Sequence, residues 1–405
     1  MQNAPRSRDP RLDFFRGLGM FIILIAHITG NPWTLYIPAR FGFSDATEMF
    51  VFCSGMASAI AFGAVFNRAG WALGTLRILH RIWQVYWVHI GVFSVTFALM
   101  AAIDISFLFP RDEIGALNLY PFVNNTAPNL IGLLTLTYVP NYFDILPMYL
   151  VILALIPVMM ALARLDVRLV FGLSLFLWLA ATFANLGFPA ELWFTKPSTR
   201  QWFFNPFAWQ MVFFTGFSLM MGWLPAPPLR RWLVIVALAL VVLSVPFAWY
   251  KIIGASEFVR AWRKDWVILI DKTHFGAFRY LHFLALAYLA WVLAGPGGAR
   301  LRTEGRLGQL IGLISKVGQQ SLAVFAISMV IARVLGAVLN AAGGGPLAAF
   351  AVNAIGFAII IGAAYLVAHI KHQPWAKPAP KAPEARVAPG PPEAASAPLA
   401  EQVRA

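Results

Sequence analysis

The chain has 405 residues, of which 60% are hydrophobic and 12% charged, and its formal net charge is +14. No soluble domain of this length has interior enough for so much apolar surface, so composition excludes an ordinary soluble protein and points to a bilayer. The basic excess does not indicate a nucleic-acid partner, because the cations sit in short loops between apolar segments. The single cysteine, Cys53, excludes an internal disulfide.

Taken in order, ten segments of about 20 mostly apolar residues are expected to cross the membrane as helices. They are roughly 13–31, 46–66, 83–102, 143–163, 169–188, 207–223, 232–250, 276–295, 318–340 and 347–369. The expected fold class is therefore all-α, a polytopic membrane protein with about ten transmembrane helices. The first run resembles the charged start and greasy middle of a signal peptide. No A-x-A-like site follows it and many spans come after, so it reads as a retained first span. The run 126–138 is too short and polar for a crossing, and reads as a re-entrant piece or a helix on the outer surface. Residues 1–370 form the transmembrane domain. Residues 371–405, rich in Pro and Ala, read as a disordered tail that cannot bury a core.

Loop charge gives the orientation. Arg6, Arg8 and Arg11 precede span one; Arg68, Arg77 and Arg81 follow span two. Arg164 and Arg168, Arg230 and Arg231, then Arg300, Arg302, Arg306 and Lys316 occupy the alternate loops that follow. The opposite set holds most of the acids and the longest segments, near 103–142 and 251–275. The basic set is expected inside, with both termini cytoplasmic. One loop resists: 251–275 carries Lys251, Arg260, Arg263 and Lys264 on the outer side.

The first span carries the sharpest pattern. Asp13 and Arg16 are neighbours on a helix, and His27 lies eleven residues beyond Arg16, close to three turns and roughly 16 Å along one face. Ionisable groups at membrane depth face a protein interior or a wet cavity, and are functional candidates by default. Imidazole is the side chain best matched to taking and returning a proton near neutral pH. The plainer alternative is a structural histidine bonded to a neighbouring helix.

Glu48, near the start of span two, is expected at the depth of His27. It either holds the second imidazole nitrogen, as in hydrolase triads, or is simply solvated at the interface. Ser54-Gly55 reads as small-residue packing on physical grounds. Arg77 and Arg81 share an inner-surface face and serve either as membrane anchors or as a grip on phosphate. Arg333, within span nine, lies away from the inner surface and is harder to dismiss as an anchor; it is either a functional group or snorkels outward from its outer-third position. Asp271, Lys272, His274, Arg279 and His282 crowd the outer entrance to span eight, as binding groups for a carbohydrate or carboxylate or as an interfacial anchor. No P-loop, dinucleotide fingerprint or Cys/His zinc spacing is present. A secondary transporter would show inverted repeats and broken helices, and neither is visible.

Arg16, ten residues, then His27, opened by Arg11-Leu-Asp13-Phe-Phe-Arg16-Gly17, resembles the Arg-x10-His element of the acyltransferase-3 membrane superfamily. Phe50-Val-Phe-Cys-Ser54-Gly55 is similar to its second-span motif, and Gly318-Gln-Gln-Ser321 to its late Gly-x-x-Ser element. More narrowly, Tyr138-Val-Pro140, Asp144-Ile-Leu-Pro147-Met-Tyr149 and Asp271 through His282 resemble the OpgC family, which succinylates osmoregulated periplasmic glucans. The likeness covers nearly all of residues 8–370 and leaves out the tail. It implies acyl transfer from cytoplasmic acyl-CoA, here succinyl-CoA, to a glycan hydroxyl outside, with no resident cofactor and no metal. It also implies a bacterial inner-membrane location. His27 would be the base and Arg16 its motif partner, with Asp13 and Glu48 in support. Arg77, Arg81 and Ser54 would bind the donor, and Asp144, Lys272, His274, Arg279, His282 and Arg333 the acceptor or acyl group.

Overall fold

The structure, a computed structural model, describes residues 9–106, 108–109, 111–191 and 200–375. The expected disordered tail lies outside the described residues from 376 onward. Among the described residues there is no strand, only an isolated bridge between Pro189 and Gln201. The main helices are α1 (Pro10–His27), α2 (Ala46–Ser58), α3 (Ala64–Ser106), α4 (Ile145–Leu165), α5 (Val167–Phe183) and α6 (Pro206–Met221). They continue with α7 (Arg231–Ala248), α8 (Ala277–Ala294), α9 (Gly305–Gln319), α10 (Ser321–Ala341) and α11 (Pro346–Lys371).

The protein is an all-α polytopic membrane protein. Among the described residues six helical stretches are long and apolar enough to cross a bilayer: Ala46–Ser106, α4, α7, α8, α10 and α11. Helix α1 falls short of that test because Arg11, Asp13 and Arg16 occupy its first two turns, and α5 and α6 because they are short. The ten expected segments all fall on helices.

Three differences from the expected layout have physical causes. The loop expected between spans two and three is reduced to a break at Gly70, whose φ of 81° no ordinary side chain adopts easily. The chain reverses there, for the Phe66 ring packs against Gly74, a separation of roughly 12 Å in a straight helix. Arg77 and Arg81 thus lie on α3 itself. Helix α9, expected as loop, is amphipathic rather than apolar, with Leu307, Leu310, Ile311 and Ile314 at helical spacing. The long segments expected on the outer side are also helical, in short pieces: Glu113–Ala116, Tyr120–Asn124 and Thr126–Leu134, then Tyr250–Ala255, Glu257–Asp265 and Val267–Ile270.

Close packing sets the bundle. A Cβ on Gly17 would overlap the Ile314 carbonyl, and one on Gly318 the Asp13 carbonyl, so α1 and α9 touch backbone to backbone. The same reciprocal contact joins α2 to α6, where Gly55 meets the Phe213 carbonyl and Gly216 the Phe52 carbonyl. Small residues permit this approach where lipid leaves little hydrophobic drive between helices. On α6, Trp209, Phe213 and Phe217 recur every fourth residue and are fully buried, which makes it the central post.

Valine at Gly55 or Gly216 should therefore force the α2–α6 pair apart, at a cost of about 1–3 kcal/mol each. Thermal unfolding in detergent should show a lowered midpoint for both. Gly254→Val, at a site with open space around it, should leave the midpoint unchanged.

Candidate active site

His27 is the last residue of α1, and the chain leaves helical geometry at Ile28. Its Nδ1 lies 2.7 Å from the Ile23 carbonyl oxygen. A carbonyl only accepts, so Nδ1 carries the proton and Nε2 keeps the lone pair. That is the tautomer a general base requires. The Tyr142 ring meets the imidazole edge-on at 5.4 Å, and its hydroxyl donates to the Met329 carbonyl at 2.5 Å. Tyr142 holds a φ of 86°, a conformation costly for a residue with a bulky side chain and common at functional sites. A hollow of about 560 Å³ follows the 26–40 segment, lined by Ala26 and Ile28, the chain neighbours of His27, and by Thr29, Asn31, Thr34 and Arg40 among others.

Glu48 is not the partner of His27. It sits at the third position of α2, where its Oε2 accepts from the Asp45 N–H at 2.8 Å and Asp45 accepts from Thr47 N–H at 2.7 Å. The remaining oxygen, Oε1, accepts from Arg279 Nε at 2.8 Å and Nη2 at 2.5 Å. Asp45 Oδ2 takes the Lys272 ammonium at 2.5 Å and touches Arg279 at 3.4 Å. Burial alone would raise the Asp45 pKa, but Lys272 and Arg279 outweigh it and hold the carboxyl well below the usual range. Each base of the knot thus has a carboxylate partner. The knot contacts the imidazole only through the field, for Lys272, Asp45 and Arg333 all lie within Coulombic range of His27.

Arg333 does not snorkel. Its Nη2 donates to Glu113 Oε2 at 2.5 Å and its Nη1 to Thr29 Oγ1 at 2.7 Å, and both ionic partners are buried. The guanidinium also lies 5.7 Å from the Tyr142 ring centre. Arg333 and His27 thus flank the same tyrosine. Glu113 enters from the short helix Glu113–Ala116, whose first N–H groups are capped by Asp104 at 2.9 Å. An expectation based on span nine alone missed this partner 220 residues away in sequence.

At the other end of α1, Arg16 donates to Ser321 Oγ at the start of α10. Asp13 is buried one turn earlier. Arg81 lies within Coulombic range of Arg16 and of Lys371. Lys371 donates to Gln320 Oε1 at 2.6 Å and Arg81 to Gln84 Oε1 at 3.1 Å. Both of these acceptors are neutral amides, while the acid Asp13 lies within Coulombic range of Arg16. Arg77 is exposed one turn before Arg81.

A family model described as OpgC protein matches residues 8–372. The chain belongs to the OpgC family. No curated protein and no solved structure matches it.

The remaining candidates of this OpgC chain sit apart from the base. Asp144 accepts from the Phe203 N–H at 3.1 Å and anchors the 200–205 segment. His274 is held by Asp271 at 2.8 Å. His282 accepts the Ser44 N–H at 3.2 Å on Nδ1, and its Nε2 abuts Gly42. Ser54 is buried on α2 beside the Gly55 contact, as packing predicts. Tyr142, Glu113 and Thr29 are the site residues that the sequence did not announce. Tyr142 does fall between the OpgC-like stretches Tyr138–Pro140 and Asp144–Tyr149.

Breaking the Glu113–Arg333 pair from one side leaves a buried charge alone, which costs about 3–5 kcal/mol. Glu113→Ala should thus unfold at markedly lower temperature. Glu113→Gln combined with Arg333→Met should recover most of the loss; a double variant no better than the single one would contradict the pairing.

Proposed function

We propose that this OpgC-family protein is an integral membrane O-acyltransferase that moves succinyl from cytoplasmic succinyl-CoA to hydroxyls of osmoregulated periplasmic glucans. It works in the bacterial inner membrane with both termini in the cytoplasm. The observation that carries the reading is the His27 ring, fixed by Ile23 with Nε2 free to accept, at the opposite end of α1 from the Arg16 cluster.

The chemistry follows from that separation. The phosphates of coenzyme A suit the Arg16, Arg81 and Lys371 end, where Arg81 and Lys371 donate to neutral amides. The pantetheine arm then spans the roughly 16 Å between Arg16 and His27. A glycan hydroxyl enters from the hollow along residues 26–40. Its oxygen attacks the thioester carbonyl while its proton passes to His27 Nε2. The tetrahedral intermediate collapses, the C–S bond breaks, and the departing thiolate takes the proton back from the imidazolium. An ester and free CoA–SH remain, and His27 returns to its starting tautomer. The thioester is already activated, so positioning and one proton transfer suffice.

His27→Ala should lower succinyl transfer by about 10²–10⁴-fold. Introduced into cells that lack the gene, it should fail to restore the anionic charge of periplasmic glucans on anion exchange, at normal protein level. Unchanged glucans in the deletion strain, with an altered acyl group on another envelope polymer, would keep the transferase and discard this acceptor.

The orientation predicts that a reporter fused after Lys371 is active in the cytoplasm alone. Periplasmic activity there would mean an odd number of crossings.

A further inference from the structure

On the function proposed above, the acyl group is the leading end of a donor whose phosphates stay at the Arg16 end of the bundle. Its carbonyl stops at His27. A dicarboxylic acyl chain therefore carries its free carboxylate past the imidazole, toward the Asp45 end. Lys272 and Arg279, the cations expected to meet it there, are already paired with Asp45 and Glu48. A carboxylate arriving at the knot finds both cations already engaged.

Beside the knot lies a cavity of about 200 Å³. Arg40, Arg263 and Arg279 line it, and Asp45 is the only acid in its wall. Asp45, in the wall of this cavity, is also within Coulombic range of His27, which puts the cavity on the His27 side of the bundle. Arg40 and Arg263 meet no carboxylate within ion-pair distance among the described residues. The acids on the helix that carries Arg263, Glu257 and Asp265, are exposed.

Both guanidiniums are held in place. Arg263 Nη1 donates to the Phe247 carbonyl at the end of α7, and Arg40 Nε donates to the Thr34 carbonyl at 3.2 Å. Burial, and then the neighbouring Arg279, both disfavour the Arg263 cation. An anion in the cavity would relieve that cost. Phe43, Ile253 and Ile270 supply apolar wall, which suits the methylenes that join a carboxylate to a thioester. The cations on the outer 251–275 segment, anomalous for a membrane loop, then have a purpose.

We propose that this cavity is the acyl-carboxylate subsite: Arg263, with Arg40 at the rim, holds the free carboxylate of the dicarboxylic acyl group being transferred. A carboxylate could also come from acyl groups already on the acceptor, and the test separates the two sources.

Full-length protein in proteoliposomes is given succinyl-CoA or butyryl-CoA, which has the same chain length with a methyl in place of the carboxylate, and a neutral glucan. A charge-assisted contact predicts that Arg263→Gln lowers the ratio of succinyl to butyryl kcat/KM by roughly tenfold or more. Butyryl transfer itself should stay near wild type. Arg263→Lys should lose less, and Arg40→Gln about threefold. Equal loss for both donors, or no change in the ratio, would overturn the proposal. If Arg263→Gln does not fold, the exposed Arg40→Gln decides alone, with an unchanged ratio counting against it. Repeating the assay on succinylated glucan gives the second arm. An effect that follows acceptor charge rather than donor charge assigns the cavity to the acceptor and overturns the proposal. Wild-type protein that transfers neither acyl group refutes the acyltransferase reading itself, a result distinct from every outcome above.

Discussion

An ion taken out of water into a helix bundle costs several kcal/mol unless a partner is taken with it. Here that constraint falls on the Asp45, Glu48, Lys272 and Arg279 knot. Glu48 spends one oxygen capping its own helix and the other on Arg279. The same four residues thus start α2, start α8 and fasten the two ends together. With α2 locked to α6 by its glycine contacts, the mouth of the bundle near His27 is rigid on that side. On the other side Glu113 and Arg333 make a second buried pair, with Thr29 and Tyr142 against the guanidinium.

Pairing of these ions frees the remaining groups for chemistry. His27 has a carbonyl rather than a carboxylate behind its Nδ1. Such an acceptor orients the ring without the strong stabilisation of imidazolium that a carboxylate supplies in hydrolase triads. On the proposed reaction the thioester is an activated acyl donor with a good leaving group, so a weaker base in a well-oriented site would be enough. At the opposite end of α1, Arg81 and Lys371 are set against amides and Arg16 against the Ser321 hydroxyl, with Asp13 in Coulombic range of Arg16.

The ionisable groups were legible in the sequence; their partners were not. Arg16, His27, Lys272, Arg279 and Arg333 stand out because charge in apolar sequence is rare. Their pairings are tertiary: Glu48 and Arg279 are 231 residues apart, and Arg16 and Ser321 are 305 apart. Depth along a span suggested Glu48 for His27, but depth carries no information about rotation around the helix. Helix α9 escaped because a hydropathy window rewards uniformly apolar runs, while its apolar residues form a single stripe. The left-handed backbone of Tyr142 is invisible in sequence, since only glycine would have advertised it. The glycine pairs at 17 and 318 and at 55 and 216 were present as letters, without any sign of which carbonyl each would meet.

On the proposed function one helix divides the reaction, with the donor's phosphates at the Arg16 end and the acyl acceptor at the His27 end. The most direct measurement uses proteoliposomes of uniform orientation with succinyl-CoA, labelled separately in the acyl group and in the adenine, supplied on the Arg16 side. Glucan is supplied only on the His27 side. The account predicts acyl label on the glucan while adenine label stays where it was added. Transfer only when donor and acceptor share a compartment, or adenine label crossing with the acyl group, would contradict it.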